Sequence, residues 1–166
     1  MIGEVLLRVP IWAALVLYAL TEHIRAGRGG GNAGGGRLAF SLGCLAYLLH
    51  VAAAFHWYHA WSHAAAYADT ADQTAALVGL AWGGGLWINY AFTALWIGES
   101  AWWWAAPASY RERRRGIQLT VRAVFLFMIV NGAVVFVDGP TRWVGLAIVV
   151  FLVRTQWRSL AADGDG

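Results

Sequence analysis

The stretch HVAAAFHWYHAWSH holds His50, His56, His59 and His63, four of the chain's five histidines within fourteen residues. On a helix turning about 100° per residue, His59 lies about 60° from His56, and His63 about 20° from it. The three therefore share a face, and His59 with His63 has the i, i+4 spacing at which helical side chains become neighbours. His50 points about 120° away and lies about 9 Å deeper along the axis. Imidazole nitrogens bind copper, zinc and iron. His56, His59 and His63 are the expected ligands, with Asp69 and Asp72 as auxiliary carboxylates and Asp138 arriving on the same side. Thr70 and Thr74 continue the stripe if the helix runs straight.

Two other readings stand beside the metal. Histidine is at home at a membrane interface beside Trp57, Tyr58 and Trp61, where its polar tip stays wet. It also titrates near neutral pH, which suits a proton relay or a pH sensor. Heme b is a weaker fit. A bundle takes two axial histidines from facing helices, and His23 lies at the other end of the chain's first apolar run.

The surroundings are those of a membrane protein. Of 166 residues 60% are hydrophobic, 14% aromatic and 13% charged, more apolar surface than a soluble domain of this length can bury. Eleven tryptophans fit the water–hydrocarbon boundary. The net charge of +3 comes from arginines in short segments between apolar runs, which points to topology and not to nucleic acid. Cys44 is the single cysteine, so neither an internal disulfide nor a thiolate zinc site forms. GxSxG and HExxH are absent, and the chain reads as a binding protein more than as an enzyme.

Five apolar segments can be drawn, at about 9–24, 38–61, 86–104, 117–137 and 142–157. Each of the first four is near the ~20 residues that cross a bilayer, and the fifth is short. The expected fold is an all-α integral membrane bundle of four to five spans forming one domain over 1–160, with a disordered polar tail over 161–166. The connection RAGRGGGNAGGGR is basic, the one with Asp69 and Asp72 acidic, SYRERRRG basic, VDGPTR mixed, and the end carries Arg154 and Arg158. By the positive-inside rule the N-terminus is outside and the C-terminus in the cytoplasm, as in a bacterial inner membrane, with the histidines facing out.

The second helix has no breaker between Ser41 and Tyr67 and is expected to continue past the membrane surface. Asp69 reads as the N-cap of a short surface helix, with Asp72 its capping-box partner and Gly83, Gly84 and Gly85 a hinge after it. Asn89, Thr93, Trp96 and Ser100 form a polar seam at i, i+4, i+7, i+11, and Asn131 is placed to face it. Glu99 and Arg122 fall at one depth and are expected to pair. Trp102, Trp103 and Trp104 before SYRERRR read as an interfacial anchor on anionic headgroups.

The run of SHAAAYADTADQTA, WGGGLWINYAF, WWW and VNGAVVFVDGPTRW resembles small multi-pass bacterial membrane proteins without an assigned activity. That resemblance implies a fold and no reaction. Two functions follow from the residues. One is a membrane protein holding copper, zinc or iron through the histidine cluster, in redox or metal handling. The other is an accessory or assembly subunit that packs on other membrane subunits, or on copies of itself, without a metal of its own.

Overall fold

The computed structural model describes residues 2–27 and 33–162. It is all-helical, with no strand among the described residues. The helices are α1 (Ile2–Ala26), α2 (Ala33–Trp57), α3 (His63–Val78), α4 (Gly85–Ala105), α5 (Pro107–Arg111), α6 (Arg115–Val130) and α7 (Thr141–Ala162). A π-helical turn over Asn131–Val135 extends α6. Residues 28–32 of the expected glycine-rich linker lie outside the described residues, as do residues 163–166 of the polar tail, whereas the linker's residues 33–37 belong to α2.

Three stretches are long and apolar enough to cross a membrane: Ile2–Ala26, Gly34–Trp57 and Arg115–Val135. Their outer faces are aliphatic, compatible with contact with lipid. On α2, Leu38, Leu42, Leu45 and Leu49 are exposed at helical spacing, while Phe40, Cys44 and Tyr47 on the opposite face are buried. Small residues permit close packing in lipid, where helices gain little from hydrophobic burial against each other. A Cβ added at Gly43 would come within 3.1 Å of Trp96 and 3.5 Å of the Ala14 carbonyl oxygen, so this glycine sits where α1, α2 and α4 meet.

The core is aromatic. Tyr18 stacks on Phe125 with centroids 4.4 Å apart, Trp96 meets Phe125 edge-on at 4.9 Å, and Tyr47 stacks on Trp96 at 5.4 Å. These rings join α1, α2, α4 and α6 and are the kind of pair that contributes ~0.5–1.5 kcal/mol beyond burial.

Several boundaries differ from the sequence reading. α2 stops at Trp57, and α3 begins at His63, six residues before Asp69. No proline or glycine makes this break. Ala60 and Trp61 take left-handed φ values of 45° and 61°, and the Trp61 amide donates to the Phe55 carbonyl at 2.9 Å. That bond spans six positions, one more than the six-to-one closure of a Schellman motif, and alanine takes the left-handed position usually held by glycine. Ser62, not Asp69, caps α3: its hydroxyl accepts from the Ala65 amide at 3.2 Å. Asp69 lies inside α3 and accepts from Gln73 Nε2 at 2.8 Å. α3 ends at Gly79, in the left-handed conformation. The three later glycines serve close approach: a side chain at Gly83 would overlap the Tyr67 carbonyl, and one at Gly85 would crowd Thr70. The last helix is longer than its apolar stretch, 22 residues through Ala162. It packs against the π turn, where a Cβ on Gly145 would overlap the Ala133 carbonyl.

Gly145→Ala is expected to lower the thermal unfolding midpoint in detergent, at a cost of about 1–3 kcal/mol for overpacking against backbone. Gly98→Ala, in open space on α4, should leave the midpoint unchanged or raise it. Ala60→Gly should raise it, since an alanine in the left-handed region costs about 1–2 kcal/mol. A midpoint unmoved by Gly145→Ala would show that α7 does not pack here in solution.

Candidate functional site

The residues expected to do chemistry separate into two regions at opposite ends of the bundle. At one end the start of α1, the end of α2, α3, the start of α4 and the π turn enclose a cleft of about 1010 Å³. Tyr47, His50 and His59 line it from α2 and the turn that follows, and Asp69, Thr70 and Thr74 line it from α3. Asn89 and Thr93 of α4 and Asn131 of the π turn complete its polar wall, while the half-buried Trp12, Phe55 and Tyr90 supply an aromatic one and the buried core rings Phe92, Trp96 and Phe125 lie behind it. α3 thus presents one face to the cleft, as a lid.

The break between α2 and α3 disperses the histidine stripe. His56 is exposed in the last turn of α2, with its ring 4.6 Å from Trp57 and 6.4 Å from Trp61. His59 sits in the turn, against Phe55, and faces the cleft. His63 opens α3 and lies against Trp87 and Tyr90, with Nδ1 3.1 Å from the Tyr90 hydroxyl. Asp72 is exposed on α3. The shared face required a continuous helix through Ala60, which the left-handed turn removes. Among the described residues no three of the His, Cys, Asp and Glu side chains stand close enough to hold a metal ion. His50, set apart by the sequence reading, is a cleft residue. Its Nδ1 lies 2.7 Å from the Leu7 carbonyl oxygen of α1.

The polar seam on α4 is partly internal. Thr93 donates to the Asn89 carbonyl at 2.8 Å, so the 3.1 Å contact between its Oγ1 and the Tyr47 hydroxyl uses the tyrosine hydrogen. Trp96 donates to the Phe40 carbonyl at 3.3 Å. Ser100 is half-buried, and its hydroxyl has no hydrogen bond. Asn131 Nδ2 is engaged by the Phe127 carbonyl at 2.7 Å, which leaves its side-chain oxygen for the cleft.

At the other end lies an ionic chain that the sequence reading missed. The Glu22 side chain has 0% exposure. Its Oε1 accepts from Arg25 Nη1 at 2.7 Å, and its Oε2 stands 2.9 Å from Arg122 Nε as an ion pair without hydrogen-bond alignment. Arg25 also donates to the Tyr110 hydroxyl at 2.8 Å, and Tyr110 donates to Glu99 Oε2 at 3.0 Å. Arg113 donates to the same Glu99 oxygen at 2.9 Å, and Arg122 donates to Ser159 at 3.2 Å. Glu99 and Arg122 therefore belong to one chain, but each has another partner: Arg113 comes from the basic loop, and Glu22 from α1. Glu22 was masked in the sequence because it ends an apolar run beside His23 and Arg25 and looks like an ordinary surface charge. Burial pushes the Tyr110 phenol up, against the downward pull of Arg25 and Arg113, so it remains a donor at neutral pH.

The tryptophans before the basic loop hold these cations in place. The Arg25 guanidinium sits 4.4 Å from the centroid of Trp103 and that of Arg37 3.9 Å from Trp104, while Trp103 stacks on Tyr110 at 4.7 Å. Trp103 is buried, so it is part of the core and not of an interfacial belt.

No protein family, curated protein or solved structure matches the chain. The class that its geometry defines is a small helical protein with a lipid-compatible exterior, a buried ionic chain at one end and a cleft at the other.

Glu22→Ala is expected to destabilise the protein by about 3–5 kcal/mol, because it leaves the half-buried Arg25 and Arg122 without their carboxylate. Arg25→Ala should cost a similar amount, and the double variant should cost less than the sum of the two. Additive losses in thermal or denaturant unfolding would separate the two residues energetically and refute the chain.

Proposed function

We propose that the chain is an integral membrane protein, in the orientation of a bacterial cytoplasmic membrane protein, that binds a small molecule in an outward-facing cleft. The observation that carries this reading is the cleft itself, about 1010 Å³ with polar side chains from four helical elements converging on aromatic walls. Binding sites are concave, largely apolar and furnished with a few convergent polar groups.

Five spans with the N-terminus outside are supported by the ends that meet. Glu22, Glu99 and Ser159 come from the last two turns of α1, α4 and α7, and they join Arg113 just before α6 and Arg122 two turns into it. α4 and α7, at 21 and 22 residues, are also long enough to cross. Arginines make α7 less apolar than the other long helices. The end with the ionic chain also carries the basic loop Arg111–Arg115, which belongs in the cytoplasm.

A second reading keeps the metal. His59, Asp69 and Asp138 line the same cleft, and copper, zinc or iron bound there would draw on them after a movement of the 58–62 turn. His56 and His63 would be bystanders.

The test compares native protein, purified in mild detergent from metal-replete cells, with Gly132→Leu and with His59→Ala. Gly132 lines the cleft and a Cβ added there meets nothing within 4 Å, so leucine is the variant chosen to occupy the cleft. A small molecule seen by mass spectrometry on the native chain, and retained at less than a tenth in Gly132→Leu, is the expected result. About one metal ion per chain, lost in His59→Ala, would establish the second reading instead. Neither molecule nor metal on the native chain would refute both and favour an accessory subunit.

A further inference from the structure

Among the described residues Arg37, in the second turn of α2, is a half-buried cation that meets no carboxylate. Arg25, Arg113 and Arg122, the other half-buried arginines among them, each pair with one at 2.7–2.9 Å. The Arg37 Nε is buried without a hydrogen bond, and its guanidinium lies 3.9 Å from the ring centroid of Trp104 on α4. That ring is fixed in turn. Trp104 Nε1 donates to Ser41 Oγ at 2.8 Å, and Ser41 Oγ donates to the Arg37 carbonyl at 3.0 Å. A charge drawn out of water calls for a partner of opposite sign. A guanidinium held on an aromatic ring presents a planar fork that matches the two oxygens of a phosphate.

The surroundings are those of a lipid headgroup. A Cβ on Gly36, the preceding residue, would lie 3.4 Å from Ile24 and 3.6 Å from Trp103, so Arg37 stands level with the ionic chain at the end of α1. From there toward the middle of the bundle the surface beside the α2–α4 contact is aliphatic. Leu38 and Leu45 lie ~60° and ~40° round α2 from Ser41, and Ile97 and Ala101 lie ~20° and ~60° round α4 from Trp104. All four are exposed. Cation, half-exposed indole and aliphatic strip follow the order of phosphate, interface and acyl chain in a phospholipid. A soluble anion would use the cation and leave the strip unmatched. The sign of the headgroup follows from the same end of the protein. Glu22 and Glu99 are taken by arginines, and Glu112 lies in the basic loop Arg111–Arg115. A zwitterionic lipid would bring an ammonium beside that loop, and an anionic one would not.

We infer, resting on the membrane orientation proposed above and not on the cleft, that the furrow between the cytoplasmic ends of α2 and α4 binds one anionic phospholipid. Its phosphate sits on Arg37, and an acyl chain runs along Leu38, Leu45, Ile97 and Ala101.

The probes are phosphatidylglycerol and phosphatidylcholine with identical acyl chains, each titrated onto delipidated protein in detergent and counted by native mass spectrometry. Wild-type protein should take its first phosphatidylglycerol at least about fivefold more tightly than its first phosphatidylcholine, the scale of one basic contact to an anionic lipid. Arg37→Gln should bring the two lipids to equal affinity, and Arg154→Gln, on the exposed surface of α7, should keep the preference. Where Arg37→Gln fails to fold, wild-type protein carries the test through arginine modification by phenylglyoxal. Phosphatidylglycerol should slow the reaction at Arg37 and phosphatidylcholine should not, while Arg154 reacts alike with both. An excess of glycerol 3-phosphate should displace no phosphatidylglycerol; displacement overturns the lipid in favour of a soluble phosphate. Equal affinity for the two lipids in the wild type, or a preference that survives Arg37→Gln, overturns the inference and leaves the membrane reading in place. A chain that stays in solution without detergent and takes up neither lipid removes both.

Discussion

The carboxylate of Glu22, with no exposed surface, is met on one oxygen by Arg25 of its own helix and on the other by Arg122 of α6. A carboxylate in that setting is tolerable only with its cations in place, because the cost of removing it from water is several kcal/mol. That requirement runs onward. Arg25 needs Tyr110, Tyr110 gives its hydrogen to Glu99, and Glu99 needs Arg113. Arg122 reaches Ser159. The lower ends of α1, α4, α6 and α7 are thus held in register by charges that cannot be left unpaired. The aromatic faces of Trp103 and Trp104 keep Arg25 and Arg37 close to the bundle.

Register at that end frees the other. Above the Tyr18–Phe125–Trp96 stack the helices separate, and the gap is lined and covered by α3 instead of being filled by side chains. The coverage depends on the left-handed turn at Ala60 and Trp61, which folds α3 back toward the start of α4. Strained backbone of this kind persists where its surroundings over-determine it, and it recurs at binding sites. The π turn adds Asn131 to the same cleft, as such turns do near functional positions. Charge pairing sets the closed end, and backbone irregularity sets the open one.

The all-helical architecture, the approximate positions of the long helices and the polar character of one face of α4 were legible in the sequence, because apolar length and helical period are local properties. Glu99 and Arg122 were also recognisable as charges needing partners. Their partners were not. Arg113 is fourteen residues from Glu99, and Glu22 is a hundred from Arg122, separations that no periodicity connects. The histidine stripe failed for a related reason. Its premise was a helix uninterrupted by glycine or proline, and the interruption is made by an alanine and a tryptophan held left-handed by the packing around them.

Composition and pattern determined that this chain is helical and apolar on its surface, with its charges gathered into short segments, since each of these depends on neighbours within a few turns. Tertiary structure alone decided that His50 faces a cleft while His56 does not, and that Glu22 is buried between two arginines. It also decided that Trp103 is a core residue. The reason is physical: which side of a helix becomes the inside depends on the helices packed against it, and these arrive from distant parts of the chain.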